Sequence, residues 1–309
     1  MHADAGSARE PFAHVDFLLA RELRERPAAA GRVSGHRQLP AGPLIEPFEA
    51  LFEGDLPRYP LPDELARVYG ALGFGDRVIY SNFVESIDGV VTLGSKPSAG
   101  SEISGRNQAD RFLMGLLRAC ADAVLLGAGT LRATPGHQWT PEHIFPDFAD
   151  AFAELRSVLG RKPRPRLVLL TASGDVPVSH PAVIAGATIV TTTAGAAALK
   201  DRLPDSCDLV ALGAGGALDM EQVVMEMRDR GYEVILTEGG PHVAGDLVGA
   251  NLLDEAFVTI SPVVAGRDRE TRLGMVAGVE LLPARGLWAR LLSARRHGDF
   301  LFLRYGLKR

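Results

Sequence analysis

Seven short apolar runs dominate the chain between residues 78 and 261. They are VIYSNF (78–83), AVLLG (123–127), RLVLLT (166–171), ATIVTT (187–192), DLVAL (208–212), EVILT (233–237) and EAFVTIS (255–261). Their apolar residues are consecutive rather than alternating, which is typical of parallel strands covered on both faces. Because helical patterns separate several runs, the sequence predicts an α/β fold with a mostly parallel central sheet and helices on both faces. The last run, DFLFLRYGL (299–307), alternates and predicts an antiparallel edge strand.

Three helices are indicated by apolar spacing and by capping residues. Over residues 107–121, apolar side chains recur at helical intervals, so one face of this helix is expected to pack on the sheet. A second helix is predicted to begin at a capping Asp219 and to end at Gly231. A third spans 241–250, with Pro241 in its first turn.

The first 75 residues differ from the rest of the chain. Residues 20–43 are rich in Ala, Gly, Pro and Arg and hold few large apolar side chains. Burial cannot offset the entropy of ordering such a segment, so we expect disorder or an irregular arm. Apolar anchors return between Pro43 and Phe74, but too few for a separate core. The sequence therefore predicts a partly disordered N-terminal extension (1–75) and one main domain (76–309).

Charge and composition exclude several classes of protein. The 309 residues carry a formal net charge of −5, which argues against nucleic-acid binding because phosphate contacts need a basic face. No apolar run approaches ~20 residues, so no membrane span is expected. The charged start is not a secretory signal, and we expect a cytoplasmic protein. Two cysteines and histidines without ligand spacing predict no metal site, which leaves a small molecule as the expected partner.

Three glycine-rich turns follow predicted strands. They are Gly127-Ala-Gly129-Thr130, Gly213-Ala-Gly-Gly216 and Glu238-Gly239-Gly240-Pro241. Backbone N–H groups at such turns bind anions, and ligands of open α/β sheets lie at the carboxyl ends of strands. None of the three is a dinucleotide fingerprint or a P-loop. One alone would indicate merely a tight turn, whereas three at one sheet edge favour a ligand that carries a pyrophosphate.

Two carboxylates lie at the ends of predicted strands. Asp88 belongs to a Ser-x-Asp-Gly segment after the first strand and fits either a β-turn or a functional role. Glu238 precedes two glycines and a helix, so its carboxylate either caps that helix or faces a substrate. No nucleophile-elbow motif is present to indicate a hydrolase.

Four motifs occur in a recognisable order: NFVESIDG (82–89), LLRACADAVLLGAGT (116–130), LTEGGPHVAGDL (236–247) and LDEAFVTISPVVAG (253–266). Over about residues 77–305, the chain resembles the pyrimidine reductase family of riboflavin biosynthesis, the reductase half of the bifunctional deaminase–reductase. The resemblance implies a dihydrofolate-reductase-like fold, NADPH as cofactor, and reduction of the ribosyl chain of a ribosylaminopyrimidinone 5′-phosphate to a ribityl chain. It also favours a homodimer, as does an exposed C-terminal edge strand; the alternative is that the N-terminal arm covers this edge.

The resemblance implies roles for individual residues. Seven positions match residues that hold the cofactor: Gly127, Gly129, Thr130, Thr171, Ser173, Gly239 and Gly240. Of these, Thr171 and Ser173 would face the adenosine ribose and its 2′-phosphate. The two candidate catalytic residues are Asp88, near the nicotinamide, and Glu238, at the substrate pocket. Ser104 and Arg118 would contact the substrate, Arg118 through the phosphate.

The chain departs from the family in three ways. It lacks the zinc deaminase motif. After Gly-x-Gly-Thr, Thr134 stands where the family usually carries an acidic residue, and no matching arginine follows. Residues 137–162, here called the insertion, form a longer and partly helical segment. Cofactor binding is expected to survive, but the substrate is left open. A reductase of a pterin or another heterocycle and an NADP-binding protein without turnover are the alternatives.

Overall fold

A single sheet organises the computed structural model, which describes residues 45–94, 99–268 and 271–307. Within these residues its strands, β1 to β10, are Glu49–Glu53, Val78–Ser86, Ala123–Gly127, Arg166–Thr171, Ala187–Thr191, Asp208–Ala211, Val234–Thr237, Glu255–Ser261, Arg290–His297 and Phe300–Gly306. They are hydrogen-bonded in the order β1-β9-β10-β8-β2-β7-β3-β4-β5-β6. The eight strands predicted from the sequence are confirmed. The expected disorder of residues 20–43 falls outside the described residues.

The sheet has a parallel part and an antiparallel part. From β8 through β2, β7, β3, β4 and β5 to β6, all neighbouring strands are parallel. The C-terminal strand β10 is antiparallel, as predicted, but its expected place at the very edge is wrong. It pairs with β8 on one side and β9 on the other, and β1 covers β9. The hydrogen-bonding groups of β10 are therefore satisfied within the chain, so this strand offers no free edge for dimerisation.

Helices cover both faces of the sheet. In the described residues, α1 to α10 are Asp63–Tyr69, Ala99–Ile103, Gln108–Cys120, Ala128–Ala133, Pro141–Ile144, Ala149–Val158, Pro181–Ile184, Thr193–Leu199, Met220–Asp229 and Pro241–Gly249. The three predicted helices correspond to α3, α9 and α10, and α5 and α6 confirm the helical part of the insertion. Asp219 caps α9 as predicted, accepting a hydrogen bond from the Glu221 N–H at 2.9 Å. No described helix is long and apolar enough to cross a membrane.

Two apolar clusters lie on opposite faces of the sheet. On one face, side chains of α3 and α6, including Phe112 and Phe152, pack with Val124 of β3. On the other, Val223 of α9 and Leu247 of α10 pack with strand residues of the same sheet. This arrangement confirms the predicted α/β architecture, with helices on both faces of a mostly parallel sheet.

Residues 45–75 are tied to the antiparallel part of the sheet. Phe48 is buried and its ring centroid lies 4.8 Å from that of Phe302 in β10. Two buried arginines bind carbonyl oxygens of this segment: Arg295 Nε donates to Tyr69 at 3.0 Å, and Arg304 Nη2 to Gly73 at 2.9 Å. These contacts connect the segment to β9 and β10 through polar groups as well as apolar ones.

The insertion anchors the C-terminal end of α3. Arg156 of α6 is buried, and its Nη1 donates to the carbonyl oxygens of Arg118, Ala119 and Ala121 at 3.2, 3.0 and 2.8 Å. A helix leaves its last carbonyls without intrahelical partners, and a cation there is favoured by the helix dipole. Burial lowers the pKa of Arg156 to about 10. The anchored helix is the one that carries Arg118.

Candidate functional site

A cavity of about 360 Å³ opens where the parallel strands end. Its walls come from α2, α3, the turns after β3 and β7, and the insertion. Six of the residues predicted to be functional line it together: Ser104, Arg118, Thr130, Glu238, Gly239 and Gly240. Ligands of parallel α/β sheets occupy this position because strand ends and helix starts present backbone groups there.

Arg118 and Glu238 form a buried ion pair in this cavity. Arg118 lies on α3, Glu238 directly follows β7, and the guanidinium is fully buried. Arg118 Nη2 donates to Glu238 Oε2 at 2.6 Å, and Nε approaches the two carboxylate oxygens at 3.1 and 3.2 Å. A two-pronged contact of this kind fixes the plane of the carboxylate as well as its charge.

The remaining guanidinium donors of Arg118 also have partners. Nη2 contacts His137 Nε2 at 3.1 Å, and Nη1 lies 3.4 Å from the carbonyl oxygens of Gln138 and Thr140. The geometry therefore argues against the predicted contact between Arg118 and a substrate phosphate. Instead, Arg118 connects Glu238 to the insertion, a role hidden in the sequence because the two residues lie 120 positions apart.

His137 accepts the hydrogen bond from Arg118 as a neutral ring. Burial and the positive charge of Arg118 lower the pKa of His137 to about 2. Because the guanidinium can only donate, Nε2 of His137 carries the lone pair and the ring proton resides on Nδ1. The Trp139 ring lies against it, with centroids 4.9 Å apart.

Asp110 is a cavity carboxyl that the sequence analysis missed. It lies in the first turn of α3 and is 4% exposed. Burial raises the pKa of Asp110 to about 6; the hydroxyls of Thr259 and Ser104 partly offset this, and the charge of Glu238 adds to it. Acidic residues are common in first helical turns, where they complement the dipole, so nothing in the sequence marked this one.

Asp88, the other predicted catalytic carboxylate, is not among the described residues that line the cavity. Its place near the nicotinamide stays a prediction. Its carboxylate accepts hydrogen bonds from Ser86 Oγ at 2.6 Å and from the N–H groups of Ala265 and Gly266 at 3.0 and 2.8 Å. The bond from Ser86 and those from the backbone lower the pKa of Asp88. The second cavity carboxyl beside Glu238 is therefore Asp110, and the contacts of Asp88 join two loops.

Two of the glycine turns face each other across neighbouring strands. Gly127, Gly129 and Thr130 follow β3, and Gly239 and Gly240 follow β7, which pairs with β3. A Cβ at position 240 would lie 3.5 Å from Thr130 Oγ1, in the gap between the turns. Gly240 has a φ of −63°, which any residue can adopt, so the backbone conformation does not require glycine there. Helix α10 begins here without a side-chain cap, which leaves backbone donors for an anion.

Thr171 and Ser173 lie outside the cavity, at the end of β4, which is the neighbour of β3. Thr171 Oγ1 accepts the Gly174 N–H at 3.1 Å, and Ser173 Oγ accepts the Asp175 N–H at 3.3 Å. With strands ~4.8 Å apart, the ends of β7 and β4 are separated by ~10 Å. The third glycine turn follows β6, the outermost parallel strand, two positions beyond β4.

The departures from the family pattern converge on the cavity. Thr134 lines it, and its hydroxyl donates to the Thr130 carbonyl at 2.8 Å, within the turn. His137, Trp139 and Ile144 of the insertion line the same wall. This wall is neutral and partly aromatic. The described residues contain no group of three or more His, Cys, Asp or Glu side chains that could hold a metal ion.

The fold and cavity define an α/β protein with a mostly parallel sheet and a cavity at the carboxyl ends of its parallel strands. Residues 77–285 match the family described as the RibD C-terminal domain, and the chain belongs to that family.

Individual relatives agree with this assignment. The chain is 24% identical over 198 residues to the 2,5-diamino-6-ribosylamino-4(3H)-pyrimidinone 5′-phosphate reductase of Archaeoglobus fulgidus, covering 62% of this chain and 84% of the relative. Among solved structures, it resembles a pyrimidine reductase-like protein of Corynebacterium diphtheriae (TM-score 0.62, 21% identity, 79% of this chain and 98% of that one). It also resembles the Thermotoga maritima diaminohydroxyphosphoribosylaminopyrimidine deaminase/5-amino-6-(5-phosphoribosylamino)uracil reductase (TM-score 0.54, 16% identity, 75% of this chain and 57% of that one). These relatives support an oxidoreductase of the pyrimidine reductase type.

Proposed function

We propose that this protein is an NADPH-dependent reductase that reduces the ribosyl chain of an aminopyrimidinone 5′-phosphate. The observation that carries the proposal is the cavity itself, which joins two facing glycine turns to the buried pair of Glu238 and Arg118. One wall suits a cofactor with a pyrophosphate, and the interior offers polar groups for a heterocycle. Family membership and the named reductase relatives support the same chemistry.

The residues present fit the proposed cofactor. The space beside Gly240 that a Cβ would partly fill allows a phosphate to approach the backbone, and α10 supplies donors there. Gly127, Gly129 and Thr130 would hold the opposite side of the pyrophosphate. The adenosine half would extend toward β4, where Thr171 and Ser173 would contact the ribose and its 2′-phosphate. NADPH supplies the hydride, and the protein positions donor and acceptor.

The substrate phosphate needs a cation other than Arg118. Arg106 lines the cavity, is exposed, and precedes the cap of α3 with a φ of 57°. Such a backbone conformation is uncommon for a residue with a side chain and is often retained at functional sites. The neighbouring Arg111 donates through Nε and Nη2 to the Ile144 carbonyl at 3.2 Å. Arg106 is therefore the proposed phosphate ligand at the rim.

A specific observation also favours a second candidate, a reductase of a pterin or related heterocycle. The cavity wall that carries an acidic residue in the biosynthetic enzymes is built here from Thr134, His137 and Trp139. A neutral aromatic wall suits a flat bicyclic ring better than a charged sugar phosphate. The two candidates share the cofactor site and differ in what fills the cavity.

Exposed apolar side chains on one face of the antiparallel strands support the proposal of a homodimer, although β10 has no free edge. Phe52 of β1 and Leu303 of β10 both pair with Ala294, so they share one face, and Leu301 lies on that face two residues before Leu303. Phe52 and Leu301 are 46% and 36% exposed. Apolar side chains grouped on one sheet face suit contact with the same face of a second copy.

The test of the proposed function is cofactor oxidation. Purified protein with NADPH is given 2,5-diamino-6-ribosylamino-4(3H)-pyrimidinone 5′-phosphate, a dihydropterin, or no acceptor. Oxidation with the pyrimidinone alone supports the first candidate, and oxidation with the dihydropterin alone supports the second. NADPH binding without oxidation of either kind would contradict both and leave a nucleotide-binding protein without turnover.

A further inference from the structure

The proposed reduction needs a proton as well as a hydride. When a hydride adds to the carbon of a C=N or C=O bond, the π electrons move to the nitrogen or oxygen, which then takes up a proton. The cofactor supplies only the hydride. A side chain that lines the cavity and holds a proton near neutral pH is therefore required, unless water enters the site.

Two other titratable side chains of the cavity, Glu238 and His137, are already paired with Arg118. Both carboxylate oxygens of Glu238 accept hydrogen bonds from the guanidinium of Arg118, so this side chain is already paired. His137 is neutral at all ordinary pH values, and its Nε2 accepts from the same guanidinium. Arginines do not release protons in proteins. These assignments leave the carboxyl of Asp110.

Asp110 differs from Glu238 in its surroundings. It lies on the cavity wall, on the first turn of α3, and is almost fully buried. The adjacent Arg111 donates to the Ile144 carbonyl, and its positive charge partly offsets the rise in the pKa of Asp110. From the neighbouring elements, the Thr259 and Ser104 hydroxyls and the charge of Glu238 face the carboxyl.

On this geometry, and resting on the proposed function, we propose that Asp110 is the proton donor of the reductase. Its O–H bond breaks as the hydride reaches the acceptor carbon, the proton goes to the adjacent nitrogen or oxygen, and the carboxylate regains a proton from solvent. The raised pKa of about 6 keeps part of the carboxyl protonated at neutral pH. Glu238 and Arg118 would then position the acceptor, while Asp110 completes the reduction.

The test compares Asp110→Asn with wild type and with a matched control, Glu85→Gln. Partial burial also raises the pKa of Glu85, but it lies outside the cavity. With the pyrimidinone or dihydropterin acceptor, kcat of wild type is expected to fall about tenfold per pH unit above the pKa of Asp110. Asp110→Asn is expected to lower kcat by roughly 100-fold or more and to abolish this pH dependence. Its NADPH affinity, measured by fluorescence, is expected to stay at the wild-type value.

The results that would contradict the proposal distinguish a failure of the proton donor from a failure of the proposed function. A wild-type kcat that is flat or rises between about pH 5 and pH 8 overturns the assignment without need of a variant. An Asp110→Asn enzyme that keeps the wild-type pH profile overturns it as well, as does an equal effect of Glu85→Gln. A wild-type protein that oxidises NADPH with neither acceptor rejects the proposed function and this step with it. An active enzyme with an unaffected Asp110→Asn variant rejects the proton donor alone.

Discussion

Arg118 Nη2 and Glu238 Oε2 lie 2.6 Å apart in a cavity wall where the two side chains are 0% and 7% exposed. Each charge is taken out of water and depends on the other for compensation. Removing one member of such a pair leaves an uncompensated buried charge, which is far more costly than removing both. The ion pair is therefore expected to contribute to the stability of the fold as well as to the proposed site.

The first prediction follows from this dependence. Arg118→Met should lower the free energy of unfolding by about 3–5 kcal/mol, because Glu238 is left as an isolated buried carboxylate. Combining it with Glu238→Gln should recover a large part of the loss. Chemical denaturation of the single and double variants measures both. If Arg118→Met instead raised KM for the phosphorylated substrate with unfolding changed by less than ~1 kcal/mol, Arg118 would be a phosphate ligand after all.

The second prediction separates the two glycines after β7. Gly240→Ala adds a Cβ that meets only Thr130 Oγ1 at 3.5 Å, so the fold should lose less than ~1 kcal/mol while NADPH binding weakens about tenfold. In Gly239→Ala, the Cβ would approach Val243 to 2.9 Å, so folding itself should suffer. Thermal unfolding without ligand and NADPH titration are compared for both. Unchanged affinity in Gly240→Ala would place the cofactor elsewhere.

The third prediction concerns the 2′-phosphate. Thermal stabilisation by NADPH should exceed that by NADH, and Ser173→Ala should reduce the difference by weakening NADPH binding alone. The Ser173 hydroxyl accepts only a 3.3 Å bond from Asp175, so its removal should cost little stability. Equal shifts with the two cofactors in wild type would argue against the assigned role of Thr171 and Ser173.

The fourth prediction is that Asp110→Asn raises the free energy of unfolding at neutral pH but not at acidic pH. Because the pKa of Asp110 is raised from 3.8 to about 6 on folding, the folded state binds this proton more tightly than the unfolded state. Ionisation of the buried Asp110 therefore lowers the free energy of unfolding. This loss is absent below about pH 4, grows as the pH rises from about 4 to about 6, and is complete above about pH 6, where it approaches ~3 kcal/mol. Asp110→Asn should therefore be more stable than wild type at pH 7 and similar at pH 4. A loss of stability at pH 7 would contradict the raised pKa.

The fifth prediction tests the exposed apolar face of the antiparallel strands. Leu301→Glu should convert a homodimer into a folded monomer, since a charge at a buried apolar contact is strongly unfavourable. Sedimentation velocity at several concentrations gives the oligomeric state, and thermal unfolding checks the fold. Exposed Val158, on the insertion, provides a control in Val158→Glu, which should leave the assembly intact. A wild-type monomer at all concentrations would refute the proposal.

The parallel strands could be predicted because each contains consecutive apolar residues, while β1 and β9 could not. The sequences EALFE and RLLSARRH carry charges in place of such a run. What stabilises β9 lies elsewhere in the chain: Arg295 is buried because Glu53 and the carbonyl oxygens of Tyr69 and Ala71 accept its hydrogen bonds. Long-range compensation of this kind leaves no local pattern.

The site was predictable to a similar extent. Turns that follow apolar runs identified Gly127, Gly129, Thr130 and the glycines after β7, because strand ends share one edge of the sheet. The partner of Arg118 was not predictable, since pairing depends on how α3 lies over β7. Nor was the role of Asp110, whose sequence position suits an ordinary helix start and whose burial appears only in three dimensions.

Because Arg156 anchors α3, the shape of one cavity wall and the stability of a helix end depend on the same segment, the insertion. The insertion forms one wall of the cavity in which the proposed substrate would lie. Its Arg156 also binds the carbonyl oxygens at the end of α3, the helix that carries Asp110 and Arg118. An exchange of this segment for a shorter loop, made to change which ring is accepted, would also release the end of that helix. Substrate range in this enzyme is therefore expected to evolve by point changes at positions such as Trp139, with the length and the arginine of the segment retained.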